Sequence, residues 1–321
     1  LGGEPVDDFG RHADRPEQAV PGFHRVPGVC LGDRRHTGQL LDGLLGHEPG
    51  LAPLKQLLVE RGNPFYLEES VRTLVETNVL VGERGRYRPT HKVQAIQIPP
   101  TVQAMLAARI DRLSQENKRL LQVASVVGTD VPFALLQAIA ELPDESLRKG
   151  LVTLQAAEFL DETGLHPDLE YAFKHALTHD VTYGGLLQER RRDLHARIVD
   201  AIETLHRDRL GEQIERLAHH ALRGELHEKA VPYLRQAGLK ATARAALPAA
   251  RVWLEQALGI LAALPESPST LEQGFEIRLE LGTVLVRLAE VRRRLEHVRE
   301  AETLAERLND DRRRGRVCVA L

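Results

Sequence analysis

The chain has 321 residues, of which 42% are hydrophobic and 28% charged, a globular composition long enough for two or three domains. A formal net charge of -3 excludes a general electrostatic attraction to nucleic acid or anionic membrane, so any DNA contact would need a local basic patch. Two cysteines at opposite ends, Cys30 and Cys318, exclude a disulfide framework and fit a reducing compartment.

Residues 1–37 are crowded with Gly, Pro, Arg, His and Asp and carry no helical or alternating pattern. They are expected to be irregular and to stand outside the fold. No apolar run there has the form of a signal peptide, and none in the chain is long enough to span a bilayer. The expected location is the cytoplasm, without a membrane partner.

Order is expected from about Gln39. Leu40, Leu41, Leu44 and Leu45 form one apolar helix face that breaks at Gly46, and Leu51, Leu54, Leu57 and Leu58 form the next. Gly62-Asn63-Pro64 marks a turn, because proline bars the residue before it from helix. Glu68 to Val79 reads as helix. Val79-Leu80-Val81 and Arg86-Tyr87-Arg88 flank Gly82 to Gly85 as a small hairpin. Thr101 is the expected cap of a helix whose buried stripe is Val102, Met105, Leu106, Ile110 and Leu113.

Residues 114–185 carry the pattern helix, helix, helix, hairpin. Ser114 and Asp144 are expected caps. Leu120, Leu121, Phe133, Leu136, Leu147, Leu151 and Leu154 point to a shared core. Three helices followed by a two-stranded wing is a winged-helix arrangement. From Leu186 onward the pattern is helical, with stripes at Leu194, Ile198, Ala201 and Leu205 and at Leu210, Ile214, Leu217 and Ala221. Small alanines among larger apolar residues, as in Ala230, Leu234 and Ala237 or Ala250, Leu254 and Ala257, resemble tetratricopeptide-type helix hairpins. The expected fold class is therefore mainly α.

Three motif groups carry a family resemblance. They are Gly62-Asn63-Pro64-Phe65-Tyr66-Leu67-Glu68-Glu69; Ile98-Pro99-Pro100-Thr101-Val102 with Ala108-Arg109-Ile110-Asp111-Arg112-Leu113; and Phe173-Lys174-His175-Ala176-Leu177-Thr178-His179. In this order they resemble signal-transduction ATPases with numerous domains, in particular the ATPase and repeat region associated with class III adenylate/guanylate cyclases. The resemblance covers residues 38–321. It implies that 38–113 are the helical end of an ATPase module, 114–185 a winged-helix domain and 186–321 a tetratricopeptide-like scaffold for a protein partner or neighbouring domain.

It also implies two nucleotide contacts: Pro64 against adenine, and His175 at the β-phosphate of ADP, a bond made in one conformational state and so able to bias a switch. The sequence contains no G-x-x-x-x-G-K-[ST] loop to cradle phosphates and help hold Mg²⁺. Bound ATP or ADP with Mg²⁺ is expected only in a longer parent, and no complete catalytic site is assigned to this chain. A transcription regulator of the maltose-activator type shares this layout and ends in a DNA-binding helix-turn-helix. A truncated gene product without independent activity is a third reading.

Plainer readings compete for the same residues. Pro64 is also an ordinary turn residue, and His175 follows Leu169, Tyr171 and Phe173 in alternation, as a buried strand residue would. His175 and His179 share the i, i+4 spacing of metal ligands, but no third ligand with diagnostic spacing accompanies them. Arg109 and Arg112 are expected at the surface, and Trp253 in the repeat core. The expected wing carries Asp161, Glu162, Asp168 and Glu170, which oppose phosphate contact and make nucleic acid an unfavourable partner.

Overall fold

A computed structural model of the protein describes residues 34–59, 64–90, 101–164 and 169–321. The chain divides into two compact units, residues 1–96 and 97–321.

In the first unit, α1 (Arg34–Leu45) starts ahead of the expected Gln39. A short 3-10 turn leads into α2 (Ala52–Val59), and α3 (Pro64–Glu76) follows. Leu41, Leu45, Leu51, Leu58, Leu67 and Leu80 are fully or almost fully buried. Leu57, expected on the same face, is 47% exposed. The hairpin pairs β1 (Leu80–Val81) with β2 (Arg88–Pro89), Leu80 opposite Pro89. Its turn packs on the end of α1, where Gly85 N donates to Leu44 O over 2.9 Å. Gly46 makes that approach possible. It has φ +87°, and a Cβ there would lie 2.2 Å from Gly85 O.

In the second unit, Thr101 caps α4 (Val102–Asp111) by accepting from Ala104 N, and Ser114 caps α5 (Gln115–Val127) by accepting from Asn117 N. Next come β3 (Asp130–Pro132), α6 (Phe133–Ile139), α7 (Asp144–Ala156), β4 (Leu160–Glu162) and β5 (Glu170–Phe173). Asp144 is not a cap. It is the first helical residue, and its carboxylate accepts from Gln137 Nε2 over 2.7 Å.

The expected two-stranded wing is an antiparallel sheet of order β3-β5-β4, with Val131 and Glu162 both opposite Tyr171. β3 is three residues long, too short for alternation to register in the sequence. Leu121, Val131, Leu136, Leu147, Leu151 and Leu160 join helices and sheet in one core.

The remainder is a run of helices: α8 (Ala176–Gly184), α9 (Gln188–Leu205), α10 (Ile214–Arg223), α11 (His227–Ala243), α12 (Leu247–Ala263), α13 (Pro268–Arg287), α14 (Val291–Arg307) and α15 (Asp311–Ala320). Leu205, expected in the α9 stripe, is 44% exposed, because α9 ends there and a kinked 3-10 segment (Arg207–Glu212) follows.

Four helix-helix turns share one geometry. Glu225, Ala245, Ala289 and Asn309 adopt left-handed φ of 54°, 57°, 61° and 49°. The next residue's N–H bonds back into the preceding helix: Leu226 to Ala221, Ala246 to Ala241, Glu290 to Leu285, Asp310 to Ala305. These are Schellman closures, which satisfy the carbonyls that each helix end leaves open.

Small residues bring the helices close, with Ala230, Ala237, Ala250, Ala257 and Ala301 fully buried. Helices α11 to α14 have 17, 17, 20 and 17 residues, longer than a 34-residue tetratricopeptide unit accommodates. The fold is mainly α, with tetratricopeptide-like hairpins of enlarged size.

Candidate functional site

Pro64 is the first residue of α3 and is exposed. Its fixed φ suits that position, where a missing N–H costs no helical bond. Gly62 and Asn63 lie outside the described residues, as do Ile98, Pro99 and Pro100 of the second motif and Asp168 of the expected wing.

His175 sits in the second unit, between β5 and α8. Its backbone is extended (φ −138°, ψ 134°), and its carbonyl accepts from Thr178 N and His179 N at 3.0 and 3.3 Å. Its side chain makes no capping bond, and the residue is partly buried. The positive end of the α8 dipole therefore begins at His175.

One turn on, an interior chain of rings begins that the sequence reading did not identify. His179 meets Phe173 edge-on at 5.2 Å and stacks parallel to Tyr183 at 6.1 Å. Its Nε2 donates to Ser125 O over 2.9 Å, and its Nδ1 lies 3.1 Å from Asp180 Oδ1. Both nitrogens are thus engaged within the protein.

The Tyr183 hydroxyl is 3.1 Å from His195 Nε2, and His195 Nδ1 is 2.8 Å from His220 Nδ1. His195 and His220 are 1% and 2% exposed. Burial, reinforced by neighbouring charge, holds both imidazoles far below the usual histidine range and so keeps them neutral. His219, exposed on the outward side of the same turn, packs edge-on against both, and desolvation by these neighbours and the charge of Arg223 lower its pKa as well. Arg191 covers Tyr183 at 4.6 Å and donates to Gly184 O.

α8, α9 and α10 thereby form a buried polar contact between the sheet unit and the helical repeats. Two neutral rings sharing one proton can carry this bond, since one nitrogen donates and the other accepts. The sequence signal was His219-His220 together with His195 and Tyr183 on adjoining helical stripes, but no local spacing links them. Among the described residues no cluster of three or more His, Cys, Asp or Glu side chains has a geometry for metal.

Arg109 is not at the surface. It is 3% exposed, donates to Ala157 O over 2.8 Å and lies over Phe159 at 4.8 Å, clamping α4 to the end of α7. Arg112 is exposed and Trp253 partly buried against the repeat core. Asp161 and Glu162 are exposed on β4. Arg192 and Arg313 pair with Glu225 and Asp310 at 3.0 and 2.7 Å. Among the described residues no helix is long and apolar enough to cross a membrane.

No family model matches the chain. An uncharacterized protein of Rhizobium meliloti (strain 1021) is 29% identical over 231 residues, which is 71% of this chain and 22% of the relative. The chain thus spans about a fifth of that protein's length. Among solved structures, a signal transduction ATPase with numerous domains, carrying a tetratricopeptide repeat sensor, from Pyrococcus horikoshii is similar at a TM-score of 0.32. That match has 11% identity and covers 87% of this chain and 42% of the other.

Proposed function

We propose that the chain is a regulatory segment of a nucleotide-switched signalling ATPase. In this reading residues 38–113 end the ATPase module, 114–185 form a winged-helix latch and the helices beyond carry a protein partner or neighbouring domain. The observation that supports it best is the order α5-β3-α6-α7-β4-β5 with sheet order β3-β5-β4, the order a winged helix would have, which leads through His175 directly into α8. A β-phosphate at His175 would meet an imidazole donor and the positive end of α8 together.

Pro64, exposed at the start of α3, would face the adenine. The catalytic loop, Mg²⁺ and a cyclase output belong to the longer parent. DNA binding is the weaker role, because β4 exposes Asp161 and Glu162 and Arg148 of α7 is stacked on Phe133. The test is ADP retention by a parent polypeptide bearing a phosphate-binding loop. His175→Ala is expected to release ADP at least about tenfold faster, the loss of one charge-assisted hydrogen bond. Unchanged retention would remove the latch role.

A further inference from the structure

A cavity of about 280 Å³ opens in the second unit where the sheet meets the entry to the helical repeats. Its apolar wall is Phe133, Leu135, Leu169 and Ile202, and its polar lining is Glu170, His206, Gln213 and Arg216. The placement follows from local structure. Glu170 opens β5, His206 and Gln213 flank the kinked 3-10 segment between α9 and α10, and Arg216 lies one turn into α10.

Arg216 uses one guanidinium nitrogen on Asp130 O, at 3.3 Å. Among the described residues neither Arg216 nor Glu170 is in an ion pair, although the chain pairs many of its other charges. A cation and a carboxylate on one half-open apolar pocket, each retaining bonding capacity, form a two-point recognition pattern. The volume lies just below the range of ordinary ligand pockets, roughly 300–1,000 Å³, which favours a small occupant.

We propose that this cavity binds a small zwitterion with an apolar body, of the class of the apolar α-amino acids. The ligand carboxylate would pair with Arg216, the ammonium with Glu170, and the side chain would rest on Phe133, Leu135 and Ile202. Because Ile202 lies in the last turn of α9, His206 caps that helix, and Gln213 and Arg216 stand at the start of α10, occupancy would stiffen the join between sheet and repeats. The proposal stands independently of the nucleotide reading.

The test is calorimetric titration and thermal shift of the full chain with L-leucine and L-phenylalanine. Two truncated probes accompany them, 4-methylpentanoate without the ammonium and 3-methylbutylamine without the carboxylate. Saturable binding of at least one amino acid, with each truncated probe at least about tenfold weaker, is expected, since each lost ionic hydrogen bond is worth a factor of that order. Arg216→Gln and Glu170→Gln, with unchanged circular dichroism, should abolish the shift, and Asp180→Asn should leave it intact. No saturable binding by either amino acid overturns the proposal, as does equal binding of a truncated probe or retention of the shift in both variants.

Discussion

Nδ1 of His195 faces Nδ1 of His220 across 2.8 Å in the interior of the second unit, so one proton must serve both nitrogens. The bond holds while one ring donates and the other accepts. Protonating both rings would set two N–H groups against each other with no acceptor between them.

Acid should therefore unfold this unit early. An exposed histidine in the unfolded chain titrates near 6.5, whereas burial lowers His195 to about 3 and His220 to about 2. Between those limits the unfolded chain binds more protons, so stability rises with pH and is lost as pH falls below about 6.5. The slope approaches about 1.4 kcal/mol per pH unit for each such histidine. Thermal melts from pH 7.5 to 5 should show the decline, and His220→Leu should flatten it. An equal slope in wild type and variant would place the sensitivity elsewhere.

Tyr183→Phe isolates the next link in the chain. It keeps the ring under Arg191 but removes the hydroxyl 3.1 Å from His195 Nε2. An almost fully buried imidazole would lose a partner, at a cost of about 1–3 kcal/mol. Urea unfolding measures this directly, and a cost below about 0.5 kcal/mol would show that the hydroxyl contributes nothing net.

Gly238→Ala sets helix propensity against packing. Alanine favours helix over glycine by up to about 1 kcal/mol, but its Cβ would come within 2.7 Å of Leu254 Cγ and 2.8 Å of Cδ2. Overpacking of this kind costs about 1–3 kcal/mol. The expected result is net destabilisation, readable as a lower urea midpoint. A gain in stability would mean that α11 and α12 can separate at no cost.

Ala289→Gly should act in the opposite direction. Ala289 is exposed and holds a left-handed φ of 61°, a conformation that costs an L-residue roughly 1–2 kcal/mol. Glycine removes that strain and returns about half of the gain as unfolded-chain entropy, leaving about 0.5–1 kcal/mol of stabilisation. Asn309→Gly should give less, because asparagine tolerates this region. Differential scanning of the two variants ranks them.

Several elements were legible from their own residues. Thr101 and Ser114 cap the helices they precede, Gly46 ends α1, and Ile214, Leu217 and Ala221 of α10 and the alanine and leucine stripes of α11 and α12 are buried as their spacing requires. Other features were not. β3 is a strand because β5 lies beside it, and Arg109 is buried because the carbonyl of Ala157 and the ring of Phe159 come to it. The Glu170 and Arg216 cavity unites residues far apart in the chain, so no local spacing announces it.

Helical periodicity, capping hydroxyls and the run of small residues settled by themselves that this chain is mainly helical with stacked hairpins, because those preferences act within a few residues of chain. Which imidazoles share a proton and which charges line a cavity was decided only by packing. Such contacts depend on distances between elements, and a side chain's exposure and ionisation follow from what the rest of the chain brings against it.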